Sequence, residues 1–127
     1  MEQKMPVAGP PVDLAVLRTW IGTNPRLLRD VLNDFVRINQ PIVDELRAAG
    51  AQRAHARVRE LAHKLRGSAA TAGAADLGAS LAELEVVAGD GALEGRPRPL
   101  QRALDDFERV RAWIEREFPP SPAAPAR

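Results

Sequence analysis

The chain contains no cysteine, which excludes disulfides and thiolate metal sites. It has no apolar run of about 18 residues, so no membrane-spanning helix is expected. No charged-then-apolar leader opens it, and the expectation is a soluble, cytoplasmic protein. No segment alternates polar and apolar residues as a strand does, and no segment repeats. Neither sign of charge is in excess: 18 Lys and Arg stand against 17 Asp and Glu, a net charge of +1, which argues against a general nucleic-acid binder. Two histidines with no suitably arranged pair of acids make a poor metal site. No nucleophile–base–acid set points to a hydrolase, and no glycine-rich ATP-binding segment is present. The aromatic residues Trp20, Phe35, Phe107, Trp113 and Phe118 are few and are expected to pack in the core and at its ends.

What remains is helical periodicity. The 127 residues fit one domain. Residues 1–11 are proline-rich and without period, as in a linker, and suggest a domain cut from a longer chain. Residues 119–127, rich in proline and alanine, are expected to be disordered. Between them, Asp13 can cap a short helix over about 13–21, stopped near Gly22. Asn24-Pro25 is a cap followed by proline at the first helical position. The next helix, about 25–49, repeats Leu28, Leu32, Phe35, Ile38, Ile42 and Leu46, with a kink or brief break expected at Pro41 and an end at Gly50. A third helix is predicted over about 52–72, ending at Gly73, and a fourth over about 74–88 carries Leu77, Leu81, Leu84 and Ala88. The last, about 97–117, shows Leu100, Leu104, Phe107, Val110 or Arg111, Ile114 and Phe118. Four long amphipathic helices with short loops make an all-α, antiparallel up-down bundle over residues 12–118, with the short first helix capping one end.

The informative stretch runs from Glu60 to Gly73. Wound at roughly 100° per residue, it collects Ala54, Val58, Leu61, Leu65, Ala69 and Ala72 on one side and projects His63 from the other. The neighbours of His63 on that exposed side are Ala56, Arg59, Glu60, Arg66, Gly67 and Ala70. A glycine inside a helix costs about 1 kcal/mol relative to alanine. Gly67, one turn after the histidine, is expected to clear space beside the imidazole. From Arg47 to Arg66 there are six bases and one acid, a surface suited to an acidic partner or a phosphate. Neutral imidazole is a nucleophile at physiological pH, and attack on phosphorus would give a phosphoimidazole. His55 lacks a neighbouring glycine and reads as a surface histidine.

The order and spacing of three segments resemble histidine phosphotransfer (HPt) domains: His63-Lys64-Leu65-Arg66-Gly67-Ser68, then Gly73-Ala74-Ala75-Asp76-Leu77, then Leu81-Ala82-Glu83-Leu84-Glu85. The resemblance extends loosely over residues 12–118. It implies a phosphoryl carrier, not a true enzyme. His63 would accept a phosphoryl group from a receiver-domain aspartyl phosphate or a sensor kinase and pass it to a response regulator. It implies no cofactor here, because the Mg²⁺ sits in the partner's acidic pocket. Lys64 and Arg66 put positive charge near the transferring group; by the resemblance Arg66 matches the family's base, Gly67 its glycine, and Glu85, 22 residues after the histidine, orients the ring. Arg66 stands where the family usually has lysine, which exchanges a mobile point charge for a planar fork. The expected docking surface is the His63 helix and the helix before it, with Ala56, Arg59, Glu60 and Ala70. The partner is a receiver domain of a response regulator or hybrid sensor kinase, and the chain a monomer. It could be the C-terminal domain of a membrane-bound hybrid kinase.

Two alternatives are weaker. Kinase dimerisation domains follow the histidine with an acid and build their bundle from two hairpins, whereas Lys64 follows here and one chain supplies four long helices. A helical interaction module with an incidental His63 would carry no acid-labile phosphate.

Overall fold

A computed structural model of the chain describes residues 9–120. The expected linker and tail fall outside these residues except at 9–11 and 119–120. Five helices and no strand occur among them: α1 (Leu14–Ile21), α2 (Pro25–Ala51), α3 (His55–Ala72), α4 (Ala75–Gly89) and α5 (Arg98–Glu117). Helix α2 packs on α3, α3 on α4, α4 on α5 and α5 back on α2, while α1 rests on α2 and α3. The long helices thus form the up-down four-helix bundle, closed around one core.

Local signals explain most boundaries. Asp13 accepts from the Ala15 N–H at 3.0 Å, and Asn24 accepts from the N–H groups of Arg26 and Leu27 at 2.9 and 3.2 Å, with Pro25 opening α2. Each cap satisfies donors that have no intrahelical partner. At the end of α3, Gly73 adopts φ 81°, and the Ala74 N–H reaches back to the Ala69 carbonyl at 2.9 Å, a left-handed stop that glycine adopts without steric cost. Val12 is fully buried, so the packed domain begins just before α1.

Four expectations are corrected. Gly50 does not end α2. It lies within the helix, where a Cβ would come within 2.4 Å of Leu100 on α5; the glycine is there for close approach. The stop is made by Arg53 in the left-handed region (φ 53°), so α3 starts at His55 and not near 52. At Pro41, where a kink or brief break is expected, the helix runs on without a break. The proline is exposed, and the Arg37 carbonyl deprived of its N–H partner can turn to water. The buried stripe of α2 is Leu28, Leu32, Phe35, Asn39, Val43, Leu46 and Ala49, so Ile38 (56 % exposed) and the half-buried Ile42 leave the expected core. Asn39 takes the inward position, donating to the Phe35 carbonyl at 2.8 Å. Trp20, expected to pack, is 69 % exposed. Phe35 does meet Phe107 and Trp113 meets Phe118, with ring centroids 6.1 and 5.6 Å apart. On α5, Val110 is the buried residue, while Arg111 stays at the edge between Glu108 and Glu115.

The α3–α4 pair has the most extensive contact. Small residues supply its geometry: buried Ala69 and Ala72 on α3, buried Ala88 on α4, and half-buried Gly78, whose Cβ would still stand 4.0 Å from that of Ala69. Small side chains let helix axes approach closely. The tight Gly73–Ala74 turn fixes the antiparallel register, and this places the outer edges of α3 and α4 within reach of one another.

Candidate functional site

That register sets residue 63 level with residue 85. The His63 side chain is 66 % exposed, and its Nδ1 lies 3.0 Å from Glu85 Oε2. Glu85 is only 17 % exposed, which limits the positions it can take. An ionised carboxylate only accepts, so in the neutral ring this contact favours the tautomer with the proton on Nδ1 and the Nε2 lone pair free. The second oxygen of Glu85, Oε1, is buried without a hydrogen-bond partner, and Arg66 Nε stands 3.5 Å from it. The carboxylate thus lies between imidazole and guanidinium, and Arg66 is drawn toward α4 across the glutamate.

Gly67 sits one turn along on the exposed side. A Cβ built there meets no atom within 4 Å. Nothing in the packing requires a glycine at this position. Lys64 lines, with Gly67, Ser68 and Thr71, a groove between α3 and α2, whose other wall includes Val31, Phe35 and Ile38, with Leu17 of α1 at one end. Ala56, Arg59 and Glu60 lie on the opposite side of His63, where they share a cleft of about 370 Å³ with His63 and Glu85. The four expected docking residues therefore do not form one surface with α2: three flank the α4 side, and Ala70 is exposed further along α3.

The basic run is less free than its composition suggests. Arg47 pairs with Asp44, Arg53 with Glu94, and Arg66 with Glu85. Arg57 donates to both Glu45 and Glu60, and these bonds, Glu45 first, hold its pKa above the ordinary arginine value. Arg59 and Lys64 alone of the six have no acid within ion-pairing distance among the described residues. His55 is not the surface histidine expected. Its side chain is 27 % exposed, with Nε2 3.2 Å from Glu94 and 3.4 Å from the Leu93 N–H, so it ties the start of α3 to the α4–α5 loop.

A family model described as the Hpt domain matches residues 30–113, which include α3, α4 and the His63–Glu85 pair. The chain belongs to the Hpt domain family. Members of that family act in histidine phosphotransfer within phosphorelays, where they interact with receiver domains. No curated protein and no solved structure matches the chain. No described helix is long and apolar enough to cross a membrane, and no group of three or more potential metal ligands occurs among the described residues. Two features of this Hpt domain escaped sequence reasoning. Ile38 was hidden because an isoleucine at near-helical spacing reads as core. Gly89 reads in sequence as part of a Gly89-Asp90-Gly91 loop after the fourth helix; yet a Cβ there would come within 3.3 Å of Arg59 Nε and 3.4 Å of Cδ.

Proposed function

We propose that His63 is the phosphoacceptor of this Hpt domain, taking a phosphoryl group from a receiver aspartyl phosphate or a sensor kinase and passing it to a response regulator. The observation that carries the reading is the 3.0 Å contact of Nδ1 with Glu85, on a ring that is 66 % exposed. It gives one nitrogen a fixed partner and leaves the other a nucleophile. Attack by Nε2 forms an N–P bond as the bond from phosphorus to the aspartyl oxygen breaks, and the carboxylate leaves. Nε2 carries no proton in this tautomer, so none has to be removed. Phosphoryl transfer asks chiefly for in-line placement and charge stabilisation. Glu85 aims the ring and Gly67 leaves room for the donor. The Mg²⁺ of the reaction belongs to the receiver.

The receiver docks beside His63 on the α2–α3 side, where the exposed Ile38 and half-buried Val31 give apolar contact with charged side chains at the rim. Rim charges mostly set the association rate and its salt dependence. The test is labelling by a phosphorylated receiver. His63→Gln is expected to abolish acid-labile phosphate on the domain, and His55→Gln to retain it. Labelling that survives His63→Gln refutes the assignment.

A further inference from the structure

The site as read from sequence drew its positive charge from Lys64 and Arg66. Each has another place in the structure. Arg66 is engaged with Glu85 at 3.5 Å. Lys64 is the next residue after the histidine, and adjacent helical positions do not face each other; it borders the groove on the α2 side. Arg59 differs on each count. It precedes His63 by four residues, the spacing that sets side chains one above the other on a helix. Helical side chains lean toward the N-terminus, so His63 leans over the turn that carries Arg59. Arg59 lines the cleft that also holds His63 and Glu85.

Its side chain is also seated. Gly89 at the end of α4 leaves the space that Arg59 Nε and Cδ occupy, 3.3 and 3.4 Å from where a Cβ would stand. With α3 and α4 antiparallel, Arg59 stands level with Gly89 as His63 stands level with Glu85. The stem therefore lies against α4 beside the histidine. No acid neutralises the guanidinium among the described residues, while the next base, Arg57, is held by Glu45 and Glu60.

We propose that Arg59 supplies the guanidinium that hydrogen-bonds the phosphoryl oxygens at His63 Nε2, and that Gly89 seats it for that role. The proposal rests on His63 as acceptor. A planar fork suits bidentate bonding to phosphoryl oxygens, and an unpaired cation has no ion pair to break beforehand.

The test removes the partner, so that docking plays no part. The chain is incubated with phosphoramidate, a small phosphoryl donor. Nε2 forms the N–P bond, the donor's P–N bond breaks, and ammonia leaves. Labelling rate is measured for the parent, His63→Gln, Arg59→Gln and Lys64→Gln, each checked for helicity by circular dichroism. The titration of the bound phosphoryl group is followed by phosphorus NMR. Arg59→Gln is expected to slow labelling about tenfold, the worth of one charge-assisted hydrogen bond. It should also move the phosphoryl titration to higher pH, since a nearby cation favours the dianion. Lys64→Gln should change neither. An Arg59→Gln protein with parental labelling and titration overturns the proposal while leaving His63 as acceptor. So does a loss confined to Lys64→Gln. If the parent takes no label at His63, the acceptor assignment fails and this proposal with it.

Discussion

Replacing Gly67 by alanine tests whether the exposed side of α3 is kept clear for function. Glycine within a helix is less favourable than alanine by about 1 kcal/mol, because it surrenders more backbone freedom on folding. Steric cost usually opposes such a replacement, but here the added Cβ meets nothing within 4 Å. The balance is therefore the propensity gain alone. Gly67→Ala should stabilise the domain by roughly 0.5–1 kcal/mol, a rise in Tm of about 2–6 °C for a protein of this size. Gly73→Ala is the control with the opposite sign. Gly73 has φ 81°, and its Cβ would fall 2.6 Å from the Asp13 carbonyl oxygen, beside the 2.9 Å bond from the Asp13 N–H to the Gly73 carbonyl. The left-handed conformation alone costs a non-glycine residue about 1–2 kcal/mol, and relieving the overlap adds to that. Urea unfolding followed by circular dichroism, with a common slope, reads both changes. On transfer from a phosphorylated receiver, Gly67→Ala should stay near the parent, while Gly67→Gln should lose tenfold or more, about 1.4 kcal/mol or above in the barrier. A destabilised Gly67→Ala would show that the site is not open. Parental transfer by Gly67→Gln would show that clearance is not the reason for the glycine.

Glu85→Ala should lower the transfer rate by no more than about tenfold, since the ring keeps its place on the helix but loses the partner that fixes its tautomer. Nitrogen NMR of the imidazole is expected to show the Nδ1–H form losing population, and an unchanged tautomer balance would detach Glu85 from the ring. Ile38→Asp should slow transfer from a receiver while leaving stability and phosphoramidate labelling near parental, because this side chain is 56 % exposed. Equal receiver kinetics in parent and variant would remove the α2–α3 groove from the docking surface.

Sequence alone was enough for the helices, the bundle and the exposed side of α3 on which His63 stands. Helix existence follows from apolar spacing at the period of 3.6, which is a local property, and the caps at Asp13, Asn24 and Gly73 are local as well. His63 was legible because it lies opposite a continuous apolar stripe, and Gly67 because glycine inside a helix needs a reason. Glu85 could be named only through resemblance, since 22 residues of intervening chain carry no local statement of contact. The close α3–α4 packing through Ala69, Ala72, Gly78 and Ala88 brings the two together.

Other features were decided by tertiary structure alone. Ile38 and Asn39 differ by one position on α2, and hydrophobicity favours Ile38 for the core, yet the direction in which α2 faces its neighbours buries Asn39 and exposes Ile38. Gly50 reads as a stop but is a point of close approach to Leu100, a residue 50 positions away. The basic run from Arg47 to Arg66 looks uniform in sequence. Acids on α2, α3, α4 and the α4–α5 loop neutralise four of its members and, among the described residues, none pairs with Arg59 or Lys64. Which charges survive at a surface depends on the side chains that folding brings beside them, and one-dimensional order does not encode that proximity.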